Sequence, residues 1–166
     1  MPIYRHIAGT KASAQFSECG KFRYTLTIDF EPAIGRKTVC AIMQNPSVAC
    51  VEYADKSVQF LENLVFKKAY PEFAEARRLI VVNQFAYIQT DGFKGSAKHI
   101  GPENGKAIKA AINSSHSVLI AWGISNPYHD RQKTILEILR KSDSTEIYHT
   151  KKHPSRGFYQ DFIARV

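Results

Sequence analysis

The chain alternates short apolar runs with amphipathic stretches. Residues 21–30, KFRYTLTIDF, alternate in the manner of a half-buried strand and are rich in β-branched and aromatic side chains. TVCAIM, 38–43, is continuously apolar, which suits a strand covered on both faces. RLIVVNQFAY, 78–87, and SVLIAWG, 117–123, follow the same pattern, and TEIYHT, 145–150, predicts a shorter strand.

Helical periodicity fills the intervals. In DKSVQFLENLVFKKAY, 55–70, Val58, Leu61 and Val65 share one face behind Asp55, a candidate cap. PENGKAIKAAINS, 102–114, predicts a helix with Pro102 at its first position and Ile108, Ala111 and Ile112 together. DRQKTILEILRKS, 130–142, opens on Asp130 and closes on Arg140 and Lys141, the charge order that a helix dipole favours. GFYQDFIARV at the C-terminus predicts a last short helix.

Buried strands separated by amphipathic helices predict an α/β fold, a three-layer sandwich with a central, mostly parallel sheet. With no internal repeat, low-complexity tract or linker, one domain over residues 1–166 is expected. Ligands in such folds bind beyond the carboxyl ends of the strands, a rule that sorts the polar residues. Asn45-Pro46-Ser47 follows one central strand, Asn83 and Gln84 interrupt another, Trp122-Gly123 ends a third, and His149 to Arg156 follows the last. Four strand ends are thus expected to converge on one cleft.

Charge adds a partner class. Lys and Arg number 23 against 15 Asp and Glu, a formal net charge of +8, which favours a polyanion because released counterions drive binding to phosphate backbones. The excess is concentrated: Lys151, Lys152 and Arg156 lie in a stretch without an acid, and Lys94, Lys98, Lys106 and Lys109 face Glu103 alone. The three cysteines, Cys19, Cys40 and Cys50, share no CxxC spacing and read as structural residues. No apolar stretch approaches the roughly 18 residues that span a bilayer, and the N-terminus lacks the apolar core of a secretory signal. A cytoplasmic protein is expected, with no membrane contact and no obligatory protein partner.

Several chemistries lack their residues. No pair of carboxylates stands at the strand ends, which disfavours two-acid glycoside hydrolysis. GxSxG, GxxxxGK[ST] and GxGxxG are all absent, which disfavours a hydrolase triad, a phosphate loop and a dinucleotide site. His149 and His153 are four apart, but Pro154 disfavours the helix that would aim both at one metal, so neither metal nor organic cofactor is expected. What remains is amides, a hydroxyl and an imidazole. An asparagine can aim a water or read a base edge, and it can equally cap a turn. Asn83 sits within an apolar strand, where an amide is either a structural bridge or a ligand contact. His153 stands between Lys152 and Arg156, whose charge favours the neutral ring, and a neutral imidazole can still donate to developing negative charge.

The order FSECGKFRYTLT, MQNPSVA, VVNQFAY, GPENGKAI, LIAWG, HPSRGFY, from about residue 16 to 159, resembles a bacterial and phage family catalogued only as a domain of unknown function. More distantly, the same motifs resemble the uracil-DNA glycosylase superfamily, an α/β fold that flips a base from DNA and hydrolyses its N-glycosidic bond. QNPSVA is similar to the first glycosylase motif, which implies that Asn45 positions the attacking water. VVNQFAY is similar to the strand whose asparagine reads the base edge, implying that role for Asn83, with Gln44 beside the same pocket. HPSRGFY is similar to the second motif, implying His153 at the leaving base and Ser155 at a backbone phosphate. Phe60 and Phe85 are the candidates for the aromatic that stacks on the base, or else core residues. Ser47, Lys151, Lys152 and Arg156 would contact DNA.

The chain departs from that pattern in three places. Ser47 stands where the mismatch-specific branch has glycine, and Gln44 precedes the asparagine. The Pro-Leu-Ser segment that supplies the wedge for a flipped base is missing, so either Arg156 fills that role or the loop does other work. The resemblance implies a cofactor-free enzyme acting on a modified or damaged base in single- or double-stranded DNA, suited to phage DNA modification or anti-phage defence. A non-catalytic nucleic-acid or nucleotide-binding module on the same fold, and an N-glycosidase acting on free nucleotides, remain open beside it. An amide at position 45 can orient water but cannot take its proton.

Overall fold

Val39, Ala41 and Met43 turn to one face of a central strand while Cys40 and Ile42 turn to the other, and all five are buried. A strand apolar on both faces must be covered on both, and the computed structural model shows how. It describes residues 3–123, 127–142 and 146–166.

Seven strands form one sheet: β1 (Thr10–Phe16), β2 (Arg23–Phe30), β3 (Lys37–Met43), β4 (Ala76–Asn83), β5 (Ser117–Ile120), β6 (Glu146–Thr150) and β7 (Ile163–Arg165), in the order β1-β2-β4-β3-β5-β6-β7. The central four, β4-β3-β5-β6, are parallel; β2 pairs antiparallel with β4 and β1 antiparallel with β2 on one side, and β7 pairs antiparallel with β6 on the other. Helix α1 (Lys56–Phe66) covers one face through Val58, Leu61 and Val65. Helices α3 (Asn104–Asn113) and α4 (His129–Arg140) cover the other through Ile108, Ala111, Ile112, Ile135 and Leu139. One turn of helix, α2 (Ala97–Ile100), precedes α3. The expected three-layer α/β sandwich with a mostly parallel centre is what forms.

Three expectations need correction, and one strand was not foreseen. The C-terminal segment ends in strand β7, not a helix: Phe162 is wholly buried and β7 closes the open edge of β6, pairing Tyr148 with Arg165. Helix α3 begins at Asn104 with Glu103 as cap, so Pro102 lies before it. The runs 78–87 and 117–123 overshoot, because the regular strands end at Asn83 and Ile120 although Phe85, Ala86 and Ala121 are still buried. Strand β1 was not anticipated, since TKASAQF has small and polar side chains suited to a sheet edge. Thr145, the first residue of the expected last strand, lies outside the described residues.

The topology places the ligand region. From β3 the chain leaves over one face through α1, whereas from β4 it leaves over the other through α3. Its exits therefore part beyond Met43, at a switch point where doubly wound sheets open a crevice.

Candidate active site

The crevice is a cleft of about 890 Å³ at that point, walled by Met43 to Val48, the first turn of α1, the segment after β4 and the loop after β6. A smaller hollow of about 290 Å³ lies at the opposite end of the strands, where Lys37 pairs with Glu75 across 2.8 Å and Glu72 and Glu146 also line the wall.

Asn45 leaves the sheet into this cleft with its amide nitrogen already engaged. Nδ2 donates to the carbonyls of Gln89 at 2.7 Å and Pro46 at 3.2 Å, tying the exit of β3 to the segment beyond β4. Among the described residues Oδ1 holds only a long contact from Gln44 Nε2 at 3.4 Å and keeps acceptor capacity. Ser47 and Thr90 join the same two segments through their hydroxyls, 2.9 Å apart.

His153 reaches the cleft from the far wall, capping the short 3-10 turn Pro154–Arg156. Its Nδ1 accepts from the Ser155 backbone N–H at 3.1 Å, with Ser155 Oγ at 2.9 Å. An amide N–H only donates, so Nδ1 is the acceptor and the proton of the neutral ring sits on Nε2. Burial pushes the imidazole pKa down and Arg156 adds to that, while Asp55 opposes both. Gly123 at the end of the β5 segment lies against His153, with positive φ (+89°), and an added Cβ would stand 3.3 Å from that of the histidine.

Asp55 is the residue that sequence reasoning placed only as a cap. It is one: Oδ1 accepts from Val58 N–H at 2.8 Å. Its other oxygen has no hydrogen-bond partner among the described residues, and the carboxylate lies on the cleft wall with Asn45 and His153. Its charge is felt at His153 and at Arg23. A carboxylate on a helix start ten residues after Asn45 was visible as a cap signal, and only the fold shows that the cap faces the strand ends.

Other predicted residues are distributed unevenly. Gln44, Ser47 and Ser155 line the cleft with Asn45 and His153. Asn83 ends β4 opposite Met43, 1% exposed; neither side-chain atom has a partner among the described residues, and its carbonyl accepts from Asn104 Nδ2 at 3.0 Å. Phe60 is buried under the loop after β6, stacked on Tyr159 with centroids 4.7 Å apart. Gly157 permits that contact, because a Cβ there would lie 2.3 Å from the Phe60 ring. Phe85 is also buried, behind Phe93 at 5.4 Å. Phe93 itself lines the cleft, an aromatic that the aperiodic stretch QTDGFKGSAK gave no pattern to find. Lys152 and Arg156 are exposed, and Lys151 pairs with Asp161 at 2.9 Å. Among the described residues no group of three or more His, Cys, Asp or Glu is placed to hold a metal, and no helix is long and apolar enough to cross a membrane.

The fold and this cleft define an α/β sandwich whose polar site combines an oriented amide, a fixed imidazole and a carboxylate. Over residues 23–156 the chain matches the family described as Protein of unknown function (DUF1643), and it belongs to that family. Among curated proteins and among solved structures, nothing matches the chain.

Proposed function

We propose that this protein hydrolyses the N-glycosidic bond of a nucleotide, in the manner of the uracil-DNA glycosylases that its motifs resemble. The observation that carries the reading is the meeting of Asn45, Asp55 and His153 on one cleft, with the imidazole proton directed to Nε2 by Ser155. Each group fits a need of the reaction. Water adds to C1′ as the C1′–N bond breaks, and the bonding pair leaves with the base as an anion. Asn45 Oδ1 orients the water, the unpaired oxygen of Asp55 accepts its proton, and His153 Nε2–H donates a hydrogen bond to the departing base. Phe93 offers a ring to a base entering the cleft.

Asp55 answers the difficulty that an amide at position 45 cannot act as a base. A positioned general base accelerates such steps by about 10²–10⁴-fold. Flipped DNA fits as substrate because Lys152 and Arg156 stand exposed beside the His153 loop. Cytoplasmic base excision, phage DNA modification and anti-phage defence are settings in which this activity would serve, and they rest on the resemblance alone.

Incubation with duplexes and single strands carrying uracil, mismatches or hypermodified pyrimidines tests the reading, with free base and alkali-labile abasic sites as products. Salt-dependent binding without base release from any of them, unaffected by Asn45→Ala and His153→Ala, would favour the non-catalytic module instead.

A further inference from the structure

The deepest charged group on the cleft wall is not among those used above. Arg23 opens β2, and its backbone N–H donates to Ala86 at 2.9 Å. Its side chain is 1% exposed and nevertheless borders the cleft. Nη1 donates to the Ala49 carbonyl at 2.8 Å, while Nε is buried without a partner among the described residues. A guanidinium has five N–H donors and stays protonated even when burial lowers its pKa, here to about 10.

A buried cation is costly unless it is paired. Among the described residues no carboxylate forms an ion pair with Arg23. Asp55 attracts it without pairing, its Oδ1 held by Val58. Among the described residues the Arg23 side chain is held by a single backbone carbonyl, and the cleft lies beside it.

We propose that Arg23 is the anion subsite of the cleft, receiving a phosphate or carboxylate group carried by the ligand. Planar bidentate pairing is the recognition that a guanidinium fork makes best. Lys56, exposed on the same wall, adds positive charge at the entrance. A backbone phosphate of duplex DNA lies outside such a cleft and does not reach a buried side chain. The anion therefore belongs to whatever enters: the 5′-phosphate of a free nucleotide, or an acidic substituent on a flipped base.

The inference goes beyond base release and is read by binding, so it stands or falls whether or not a glycosidic bond is cleaved. Calorimetry on the full chain compares two pairs of probes: the four 2′-deoxynucleosides against their 5′-monophosphates, and single-stranded oligonucleotides with a 5-carboxypyrimidine against the 5-methyl counterpart. In one pair or the other the charged ligand is expected to bind about ten-fold or more tightly, and which pair shows it identifies the source of the anion. That preference should be lost in Arg23→Met and persist at high salt, because a buried charge is screened far less than surface lysines. Equal affinities within both pairs overturn the proposal, as does a preference that survives in folded Arg23→Met or fades with salt. Should Arg23→Met not fold, the salt series on the unaltered protein decides between the two outcomes.

Discussion

The Ser155 backbone N–H donates to Nδ1 of His153 at 3.1 Å, a bond that only the unprotonated nitrogen can accept. Protonating that ring would set N–H against N–H, so the local geometry and the burial push its pKa the same way, down. Nitrogen-edited NMR on imidazole-labelled protein should find His153 as the Nε2–H tautomer, titrating below about 6.5. Stability follows from the same shift. The unfolded chain takes up this proton first as pH falls below about 6.5, so the folded state loses stability from there down to the lowered pKa. His153→Gln should flatten that acid limb in urea melts recorded across pH.

His6 carries the opposite slope. Its Nδ1 lies 2.5 Å from Glu62 Oε2 and its Nε2 lies 2.7 Å from the Cys50 carbonyl, with Glu62 fully buried. Burial opposes the charged ring, but the Glu62 hydrogen bond, the Cys50 carbonyl and the nearby carboxylates together raise its pKa. The stability it contributes is complete below about pH 6.5 and is lost as pH rises through the raised value. His6→Gln should therefore cost more at about pH 6 than at about pH 9, read as a difference in urea midpoints. Equal costs at both would show that the His6 pKa is not raised in the folded state.

Much of this was legible in the sequence, and the reasons it stopped are specific. Periodicity found the four parallel strands, α1, α3 and α4, because buried faces leave a repeating apolar signature. It could not find Arg23. By alternation that residue belongs with Thr25, Thr27 and Asp29 on the wetter face of β2, yet it is buried under the Ala49 carbonyl. Glu62 escaped for a similar reason, since its partner His6 is 56 residues away in sequence. Asp55 was legible as a cap and illegible as a cleft residue, because the direction a helix start faces is a property of the assembled sheet. Asn45, Ser47, Ser155 and His153 were found because they follow strand ends, where topology alone predicts a site.

Replacing Asn45 by aspartate should not improve the protein. Nδ2 serves two carbonyls, of Gln89 and Pro46, and a carboxylate oxygen in its place would face both without a donor. Asn45→Asp is expected to lose about 1–3 kcal/mol of stability in chemical denaturation. A gain in stability or in base release would show that the amide is not the tie between the two segments.

Gly157 holds the His153 loop against α1. A methyl there meets the Phe60 ring at 2.3 Å, so Gly157→Ala should cost about 1–3 kcal/mol and displace the loop. The double variant Gly157→Ala/Phe60→Leu should cost less than the sum of its parts, a coupling that a double-mutant cycle measures.

The most direct measurement is single-turnover base release, by chromatography and mass spectrometry, from modified oligonucleotides and free nucleotides with the unaltered protein and Asp55→Asn. Asparagine caps helices as well as aspartate does, so the variant should fold with little change in stability while losing the proton acceptor. Hydrolysis with Asp55 as proton acceptor requires base release by the unaltered protein and a fall of about 10²–10⁴-fold in Asp55→Asn. No free base from any substrate at stoichiometric protein, or the same rate in Asp55→Asn, would contradict it.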